Sequence, residues 1–412
     1  MARARLRDRI AAAAVARAAA DAVRVPRMLE GRDGVRVVVD GRRLTSFSSN
    51  DYLGLADHPA LREALAAAAA SHALGASASA VAGGRHAIHA ELEAALAEWL
   101  QAPRALLFGS GYQANLGVVQ ALLGVGGRDE QTLCVQDRLN HASLIDAARL
   151  AGCALRRYPH LDAEGAARQL RALPGAPALL ATDGVFSMDG DVAPLRALAL
   201  LAQAESALLY VDDAHGVGVL GRDGAGSVAA AGLAARDALQ LVTFGKALGG
   251  QGAALVGDAD VVEHVAQHAR AHVYTTAPSP LLAAGMLAAV RLARSEGWRR
   301  AKLQALIVRF RRGAAELGLP LAESFTPIQP LVLGDNARAL AAARVLEEAG
   351  VWVPAIRPPT VPPGQARLRI TLSAAHEESD VDRLLDALCL ACADTGARIQ
   401  PAHRLVAAEA AR

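Results

Sequence analysis

Short, uninterrupted apolar segments recur between residues 105 and 256 of this 412-residue chain, and the stretches between them suit helices. The segments are 105–108, 132–135, 178–181, 207–211, 240–243 and 253–256. A strand buried on both faces has a continuous apolar run, whereas a half-buried strand alternates. The pattern therefore predicts an α/β fold with a large, doubly wound, mostly parallel sheet and helices on both of its faces.

The character of the sequence changes on either side of this alternating region. Residues 1–45 suit an Arg-rich helix and a short strand, and 46–294 contain the alternating segments. From 295 onward, amphipathic helices accompany strands near 329–333 and 366–372, which indicates a smaller C-terminal α/β domain over 295–393. Residues 394–412 show no packing pattern and are expected to form a loose tail.

Composition argues against several classes of function. The net charge is +2, with 43 basic and 41 acidic residues interspersed, so a nucleic-acid partner is not expected. No apolar run reaches membrane-spanning length without a charge. The cysteines show no disulfide framework, which favours a reducing, cytoplasmic setting. They are Cys134, Cys153, Cys389 and Cys392.

Three histidines have a spacing that could suggest a metal site. His264, His268 and His272 would share one face of a helix, but no acidic partner stands nearby as in H-E-x-x-H. We therefore predict a solvated helix face and no metal.

The stretch over residues 241–250 contains the strongest chemical signal. Lys246 and Lys302 are the only lysines among 43 basic residues. A lysine amine can attack a carbonyl once its pKa is lowered, whereas arginine cannot lose its proton. Lys302, in a charged run, suits a surface position, but Lys246 is surrounded by small and apolar residues. This context predicts that Lys246 holds a carbonyl cofactor as a Schiff base.

Other polar residues also follow predicted strands, where open α/β sheets bind their ligands. Asp212 comes directly after the segment 207–211. A pyridine-type electron sink needs a carboxylate at its ring nitrogen and a lysine for its aldehyde, and Asp212 with Lys246 matches that need. His215 and His141 could contact the same ring. The alternative for the first pair is an ion pair or two surface charges.

Glycine-rich turns suggest two further hypotheses. Gly109-Ser-Gly-Tyr112 opens a predicted helix, and such an N-terminus suits a phosphate group. Gly216-Val-Gly-Val-Leu-Gly221 matches the dinucleotide fingerprint G-x-G-x-x-G. The residues after Gly221 do not open a helix at once, which favours a flexible loop. A nicotinamide-dependent oxidoreductase is kept as the alternative.

Six motifs across residues 20–390 resemble those of the α-oxoamine synthases, a family of fold-type I pyridoxal-phosphate enzymes. They are Ser-Ser-Asn-Asp-Tyr-Leu-Gly-Leu at 48–55, Asn-His-Ala-Ser-Leu at 140–144, Gly-Val-Phe-Ser-Met-Asp-Gly-Asp at 184–191, Val-Asp-Asp-Ala-His-Gly at 211–216, Thr-Phe-Gly-Lys at 243–246 and Ile-Arg-Pro-Pro-Thr-Val-Pro at 356–362. The last motif looks most like the 8-amino-7-oxononanoate synthase branch.

The resemblance implies roles around pyridoxal phosphate. Lys246 would form the Schiff base and remove the substrate Cα proton, Asp212 would pair with the ring nitrogen, and His141 would stack on the ring beside the substrate. The remaining implied contacts are Ser187 and His215 with the ring oxygen, and Gly111, Tyr112 and Thr243 with the phosphate.

The resemblance also implies contacts with the substrates and with a second subunit. Arg357 would bind the amino-acid carboxylate, while Arg24 and Thr360 would line the acyl site. The family functions as homodimers, and Thr275 and Thr276 would reach the phosphate of the partner's site.

The implied reaction condenses L-alanine with a pimeloyl thioester of coenzyme A or a carrier protein. It gives 8-amino-7-oxononanoate, carbon dioxide and the free thiol in biotin biosynthesis. A sister synthase that uses glycine or serine with another acyl donor is the alternative. Two departures affect substrate choice: Asp183 stands where the family usually has glutamate, and residues 75–84 are rich in alanine where the family has more glycine.

Overall fold

The computed structural model describes residues 5–124 and 131–394, so the predicted tail at 394–412 lies outside the described residues except for Asp394, which ends a helix. The described chain forms two compact units. The large unit comprises Asn50–Gln304 and Ser324–Thr326, and the small unit comprises the described parts of Met1–Ser49, Ala305–Glu323 and Pro327–Arg412. The N-terminal segment therefore groups with C-terminal residues.

The elements follow in chain order. The strands are β1 Leu29–Asp33, β2 Arg36–Val39, β3 Arg42–Ser46, β4 Arg104–Phe108, β5 Leu133–Asp137, β6 Ala154–Tyr158, β7 Ala178–Asp183, β8 Leu208–Asp212, β9 Leu239–Thr243, β10 Ala253–Gly257, β11 Ile328–Gly334, β12 Val351–Trp352, β13 Ala355–Ile356 and β14 Ala366–Thr371. The helices are α1 Leu6–Ala19, α2 Pro59–Ala69, α3 Ala87–Trp99, α4 Gly111–Leu123, α5 Ala142–Ala151, α6 Ala163–Arg171, α7 Leu195–Ala204, α8 Ser227–Ala230, α9 Ala259–His268, α10 Arg270–Val273, α11 Pro280–Ser295, α12 Gly297–Glu316, α13 Asn336–Glu348 and α14 Glu378–Asp394.

The large unit is organised around a seven-stranded sheet with the order β4-β10-β9-β8-β7-β5-β6. Neighbouring strands from β9 to β6 run parallel, and β10 is antiparallel to both β9 and β4. The predicted α/β class with a mostly parallel sheet is confirmed. The pattern did not predict β6, because this edge strand carries the exposed Arg156 and Arg157 in place of an apolar run.

Apolar side chains on the two faces of this sheet pack against different helices. Cys134 packs in a cluster with Val118 of α4 and Val265 of α9. The strand neighbours of Cys134, Leu133 and Val135, pack in a second cluster with α6 and α7. Successive strand residues face opposite sides of a sheet, so continuous apolar strands serve both clusters at once.

The small unit contains two shorter sheets, β1-β2-β3-β12 and β11-β14-β13. Its described helices include α13 and α14, and the end of α12 also belongs to it. In the described parts of the chain, no helix has both the length and the apolar character to cross a membrane.

The expectation of one helix face for the three histidines is wrong. Helix α9 ends at His268, and Ala269 has an extended backbone before α10 begins at Arg270. His272 therefore lies on a different helix from His264. Among the described residues, no group of three or more histidine, cysteine, aspartate or glutamate side chains could hold a metal ion.

Candidate active site

A cavity of about 240 Å³ opens in the large unit at the carboxyl ends of its parallel strands. The loops after β5, β7, β8 and β9 and the start of α4 contribute its walls. Its lining residues are Ser110, Gly111, Tyr112, His141, Ser143, Asp183, Ser187, Asp212, Ala214, His215, Thr243, Gly245, Lys246, Gly250, Gln251 and Gly252. The structure thus brings together the predicted catalytic residues and most of the predicted cofactor contacts.

Two consecutive aspartates at the end of β8 have different surroundings. Asp212 lines the cavity, and its carboxylate accepts hydrogen bonds from Asn115 Nδ2 at 2.7 Å and from the Ala214 amide at 3.2 Å. Asp213 is fully buried and accepts from the Ser227 amide and hydroxyl and from Gln240. Burial raises the pKa of Asp213 to about 7, although these hydrogen bonds oppose the shift. Asp212 is therefore the carboxylate available to a ligand.

Gly216, the first glycine of the dinucleotide-like stretch, and Gly226, which lies beyond the stretch, make room for Asp213. A Cβ on Gly216 would lie 1.9 Å from Asp213 Oδ1, and one on Gly226 would lie 2.1 Å from Oδ2. The stretch forms turns and leads into a short 3₁₀ segment at Arg222–Gly224. Because it does not open an α-helix, it lacks the context that a dinucleotide site requires.

Lys246 follows β9 in a turn and lines the same cavity as Asp212. At two positions after Lys246 the structure has no room for a side chain, so glycine is required there. A Cβ on Gly249 would lie 2.4 Å from the amide nitrogen of Ala56, and one on Gly250 would lie 2.0 Å from Met286 Cε. Lys302 lies in α12 and is not part of the lining. The structure thus separates the two lysines as their sequence contexts predict.

His141 caps the start of α5 beside the cavity. Its ring Nδ1 accepts from the Ser143 amide at 3.3 Å and lies 2.7 Å from Ser143 Oγ. Desolvation of the ring in the cavity wall lowers the pKa of His141, the charge of Asp212 opposes this, and Lys246 adds to it, so the ring is neutral at neutral pH. The backbone N–H of His141 donates to both oxygens of Asp183 at 3.2 Å.

Asp183 is buried beside Asp212, because the two are register partners on β7 and β8. Burial and the charge of Asp212 raise the pKa of Asp183 well above its usual value. Through the His141 amide, Asp183 reaches the loop that carries His141. Its carboxyl group is the second one at this point of the sheet, beside that of Asp212.

The start of α4 offers free backbone N–H groups to an anion. The helix begins at Gly111 after the cap Ser110, whose Oγ accepts from the Gln113 amide. A Cβ on Gly111 would lie 2.6 Å from Thr243 Cγ2, so only glycine fits between the helix and β9. Helix N-termini carry partial positive charge, which suits the predicted phosphate. The Tyr112 hydroxyl donates to Asp146 at 2.5 Å.

Several residues that support the site were not predicted. Tyr52, from the motif at 48–55, is buried and forms a 2.6 Å hydrogen bond with His215. Asn115, in α4, is a buried amide, and its role depends on burial that the sequence does not reveal.

His160, after β6, bridges two further loops of the site. Its Nδ1 lies 3.0 Å from Asp137 Oδ1, and its Nε2 lies 2.8 Å from Asp191 Oδ2. Burial lowers the pKa of His160, but the hydrogen bonds to the two carboxylates outweigh it and raise the pKa to about 10. A charged imidazolium therefore ties the loop before His141 to the loop that carries Ser187. These residues are far apart in sequence, so no motif reveals the bridge.

The remaining predicted site residues lie outside the cavity lining. Thr275 and Thr276 lie between α10 and α11 in the large unit. In the small unit, Arg24 Nη2 donates to Thr360 Oγ1 at 3.0 Å. Arg357 donates to the backbone carbonyls of residues 21 and 23. The small unit thus brings its three predicted substrate residues together with the N-terminal segment.

The loop at residues 75–84 also lies apart from the lining of this cavity in the described chain. Its Ala80 and Val81 line a separate cavity of about 410 Å³, together with His89 and Pro278. Its predicted role in substrate choice stays a prediction.

The chain belongs to the family described as aminotransferase class I and II, whose profile matches residues 42–388. Curated relatives specify the branch. The 8-amino-7-oxononanoate synthase of Xanthomonas axonopodis pv. citri (strain 306) is 58% identical over 389 residues, which cover 94% of this chain and 96% of that protein. The relationship confirms the resemblance inferred from the motifs.

Solved structures share the fold. A Sphingomonas wittichii serine palmitoyltransferase aligns with a TM-score of 0.90 at 30% identity over 95% of this chain and 99% of its own. A serine palmitoyltransferase from S. paucimobilis, described as holding a PLP–myriocin aldimine, aligns with a TM-score of 0.89 at 25% identity. The alignment covers 95% of this chain and 100% of that one. The 8-amino-7-oxononanoate synthase of Francisella tularensis aligns with a TM-score of 0.71 at 26% identity. The alignment covers 84% of this chain and 97% of that one.

Proposed function

We propose that this chain acts as an 8-amino-7-oxononanoate synthase of biotin biosynthesis. It condenses L-alanine with a pimeloyl thioester and releases carbon dioxide and the free thiol. The observation that carries the proposal is the 58% identity to a synthase of that name over 94% of the chain, joined to a cavity that contains both Lys246 and Asp212.

The cofactor is pyridoxal phosphate, and the cavity residues fit it. The N-terminus of α4 and Thr243 suit the phosphate, while Asp212 suits a protonated ring nitrogen. When bound, the cofactor supplies an aldehyde for an amine and a ring that withdraws electrons from the substrate's Cα.

The side chains of this chain perform the remaining steps. Lys246 would hold the aldehyde of the cofactor, and its free amine would take the Cα proton of alanine as a general base. Asp212 keeps a proton on the ring nitrogen, so that negative charge at Cα is stabilised. Neutral His141 covers the ring without adding a competing charge. The same lysine returns the proton after the thiol and carbon dioxide have left.

Arg357 supports the assignment of an amino-acid substrate. Its guanidinium donates to two backbone carbonyls, which are neutral acceptors. A substrate carboxylate can replace them with stronger, charge-assisted and bidentate bonds. Arg24 and Thr360, joined by a hydrogen bond, are assigned to the acyl chain.

A sister synthase is the second candidate, favoured by the TM-score of 0.90 with a serine palmitoyltransferase. A shared fold does not determine the substrate. Sequence identity favours the first candidate, because it is 58% to the 8-amino-7-oxononanoate synthase and 30% to the serine palmitoyltransferase.

Assays across amino acids and acyl thioesters test the proposal. The purified protein should show a visible absorption band that changes on addition of L-alanine. Alanine with pimeloyl thioester should give the highest kcat/KM, although one methyl group supplies only about 1–3 kcal/mol of discrimination. A preference for serine or glycine, or for another acyl donor, would assign the protein to a sister branch. The same assay compares the coenzyme A and carrier-protein thioesters.

We also infer a homodimer in which Thr275 and Thr276 serve the partner's site. The segments 74–84 and 274–279 are joined by a 2.9 Å hydrogen bond from the Ala277 amide to the Ala78 carbonyl. They expose Leu74 at 78%, Val81 at 63% and Tyr274 at 72%. Large apolar side chains exposed on two joined segments favour association. Light scattering that gives the mass of one chain at micromolar concentration would contradict the dimer.

The cytoplasmic setting is part of the same proposal. The structure describes Cys134, Cys153, Cys389 and Cys392, and all four are free thiols, which suits a reducing compartment.

A further inference from the structure

Five polar side chains, all buried except His141, form a continuous network from the sheet to the cavity. Asn115 Nδ2 lies 2.7 Å from both Asp212 Oδ2 and Ser143 Oγ, and its Oδ1 lies 2.7 Å from Tyr210 Oη. Ser143 Oγ in turn lies 2.7 Å from His141 Nδ1. Asn115, Ser143 and Tyr210 are at most 1% exposed, so water does not compete for these bonds.

The donor and acceptor capacities of these groups fix the direction of every bond. A carboxylate such as Asp212 only accepts, so Asn115 turns its Oδ1 toward Tyr210, whose hydroxyl donates to it. This places the amide NH₂ of Asn115 toward Asp212 and Ser143, where each of its two hydrogens has an acceptor.

The donor and acceptor order also holds for the bond between Ser143 and the His141 imidazole. Because Ser143 Oγ accepts from Asn115, its own hydrogen is available for His141 Nδ1. The Ser143 backbone N–H also points to Nδ1, at 3.3 Å, so this nitrogen is an acceptor. His141 is neutral and therefore carries its hydrogen on Nε2, the nitrogen remote from Ser143.

We propose that Asn115 is a positioning residue that sets both the orientation of the Asp212 carboxylate and the tautomer of His141. One amide connects the group assigned to the ring nitrogen with the group assigned to the ring face. A serine or threonine at this position would have one donor hydrogen and could satisfy only one of the two acceptors.

The proposal rests on the proposed function, and it has a consequence that a packing role lacks. Loss of Asn115 leaves one Asp212 oxygen without its donor and frees the carboxylate to turn. The reaction should then lose interactions made with the ring nitrogen, while alanine binding through other residues is kept. The expected signature is a fall in kcat with little change in KM.

The test compares wild type with Asn115→Ala, Tyr210→Phe and the control Gln136→Leu. Gln136 is an equally buried amide on β5 that donates to the Leu144 carbonyl and is not part of the cavity lining. Each protein is freed of cofactor and titrated with pyridoxal phosphate. Each is then assayed for kcat, KM and the exchange of the alanine Cα hydrogen, and unfolded in urea.

For Asn115→Ala we expect the dissociation constant of pyridoxal phosphate to rise and Cα exchange to fall. Each change should be about 10–100-fold, which corresponds to one hydrogen bond to a charged group. The KM for alanine should stay within about threefold. Tyr210→Phe should cause a smaller loss in the same direction, because the amide then lacks the donor that fixes its orientation. Gln136→Leu should lower stability alone.

Cofactor affinity and Cα exchange of Asn115→Ala within about twofold of wild type would overturn the proposal, whatever its stability. If Asn115→Ala does not fold, Tyr210→Phe decides, and wild-type cofactor binding and exchange in that variant would overturn it. Failure of the wild-type protein to bind pyridoxal phosphate would contradict the proposed function instead, so the two failures are distinguishable.

Discussion

The cavity of the large unit and the predicted substrate residues of the small unit, Arg24, Arg357 and Thr360, differ in what holds their side chains in place. In the cavity, Asp212 and His141 are oriented by hydrogen bonds to other side chains, and Asn115 and Ser143 among these are fully buried. In the small unit, Arg24 and Thr360 are exposed and bond to each other, and Arg357 bonds to two backbone carbonyls.

The difference follows from what each region has to do. Groups that stabilise developing charge act best when their orientation is fixed in advance, because they then need no reorganisation during the reaction. Groups that capture a substrate must exchange one partner for another, so neutral partners at the surface suit them. Substitutions should therefore reduce kcat in the first region and raise KM in the second.

The largest effect is expected from Lys246→Ala. This variant loses the amine that we propose holds the cofactor and moves the proton, so kcat should fall by at least about 10²–10⁴-fold. Borohydride reduction and peptide mapping of the wild type should label Lys246. The matched control, Lys302→Ala, should keep activity. Label on Lys302, or none, would contradict the assignment.

Asp212→Asn should follow, with kcat lower by about 10²–10³-fold, the cost of removing one preorganised charged group. The cofactor should still bind, because Lys246 and α4 remain. Asp213→Asn provides the contrast, since it perturbs a buried structural carboxylate and should lower stability while Cα-hydrogen exchange persists. Near-normal exchange of the alanine Cα hydrogen in Asp212→Asn would contradict the proposed difference between the two aspartates.

His160→Gln should mainly affect stability, because it removes the charge between Asp137 and Asp191. At pH 6.5 we expect a loss of about 3 kcal/mol in the free energy of unfolding, the low end for a broken buried ion pair, since His160 is 24% exposed.

The pH dependence of this loss has a definite sign. The folded pKa of about 10 lies above the unfolded value of about 6.5, so the stabilisation is complete below pH 6.5 and is lost as the pH rises through 10. Urea unfolding of both proteins between pH 6.5 and 10 should show the difference shrinking. A constant difference would argue against a charged bridge.

The smallest effect is expected from Arg357→Lys. Lysine keeps the charge but cannot form two parallel N–H bonds to a carboxylate, so the KM for alanine should rise about tenfold, near 1.4 kcal/mol. The absorption spectrum without substrate and kcat should change little. A fall in kcat with KM unchanged would contradict this role and would indicate that Arg357 acts in the reaction step, as Asp212 and His141 are proposed to do.

The sequence by itself determined the fold class, and it predicted the pair Lys246 and Asp212. Continuous apolar runs can be satisfied only between two helical layers, and a lysine in an arginine-rich chain stands out whatever its surroundings. Edge strand β6 escaped prediction because half of its surroundings are solvent, which permits Arg156 and Arg157.

The tertiary structure decided which neighbours orient the reactive groups. Asp212 and Asp213 are neighbours in sequence, but the fold directs Asp212 to the cavity and buries Asp213, just beyond the end of β8, against Ser227. Asn115 and His160 act across 97 and 31 residues of chain on Asp212 and Asp191, respectively. Hydrogen bonds of this kind depend on which strand ends the sheet order brings together, and a local pattern carries no record of that order.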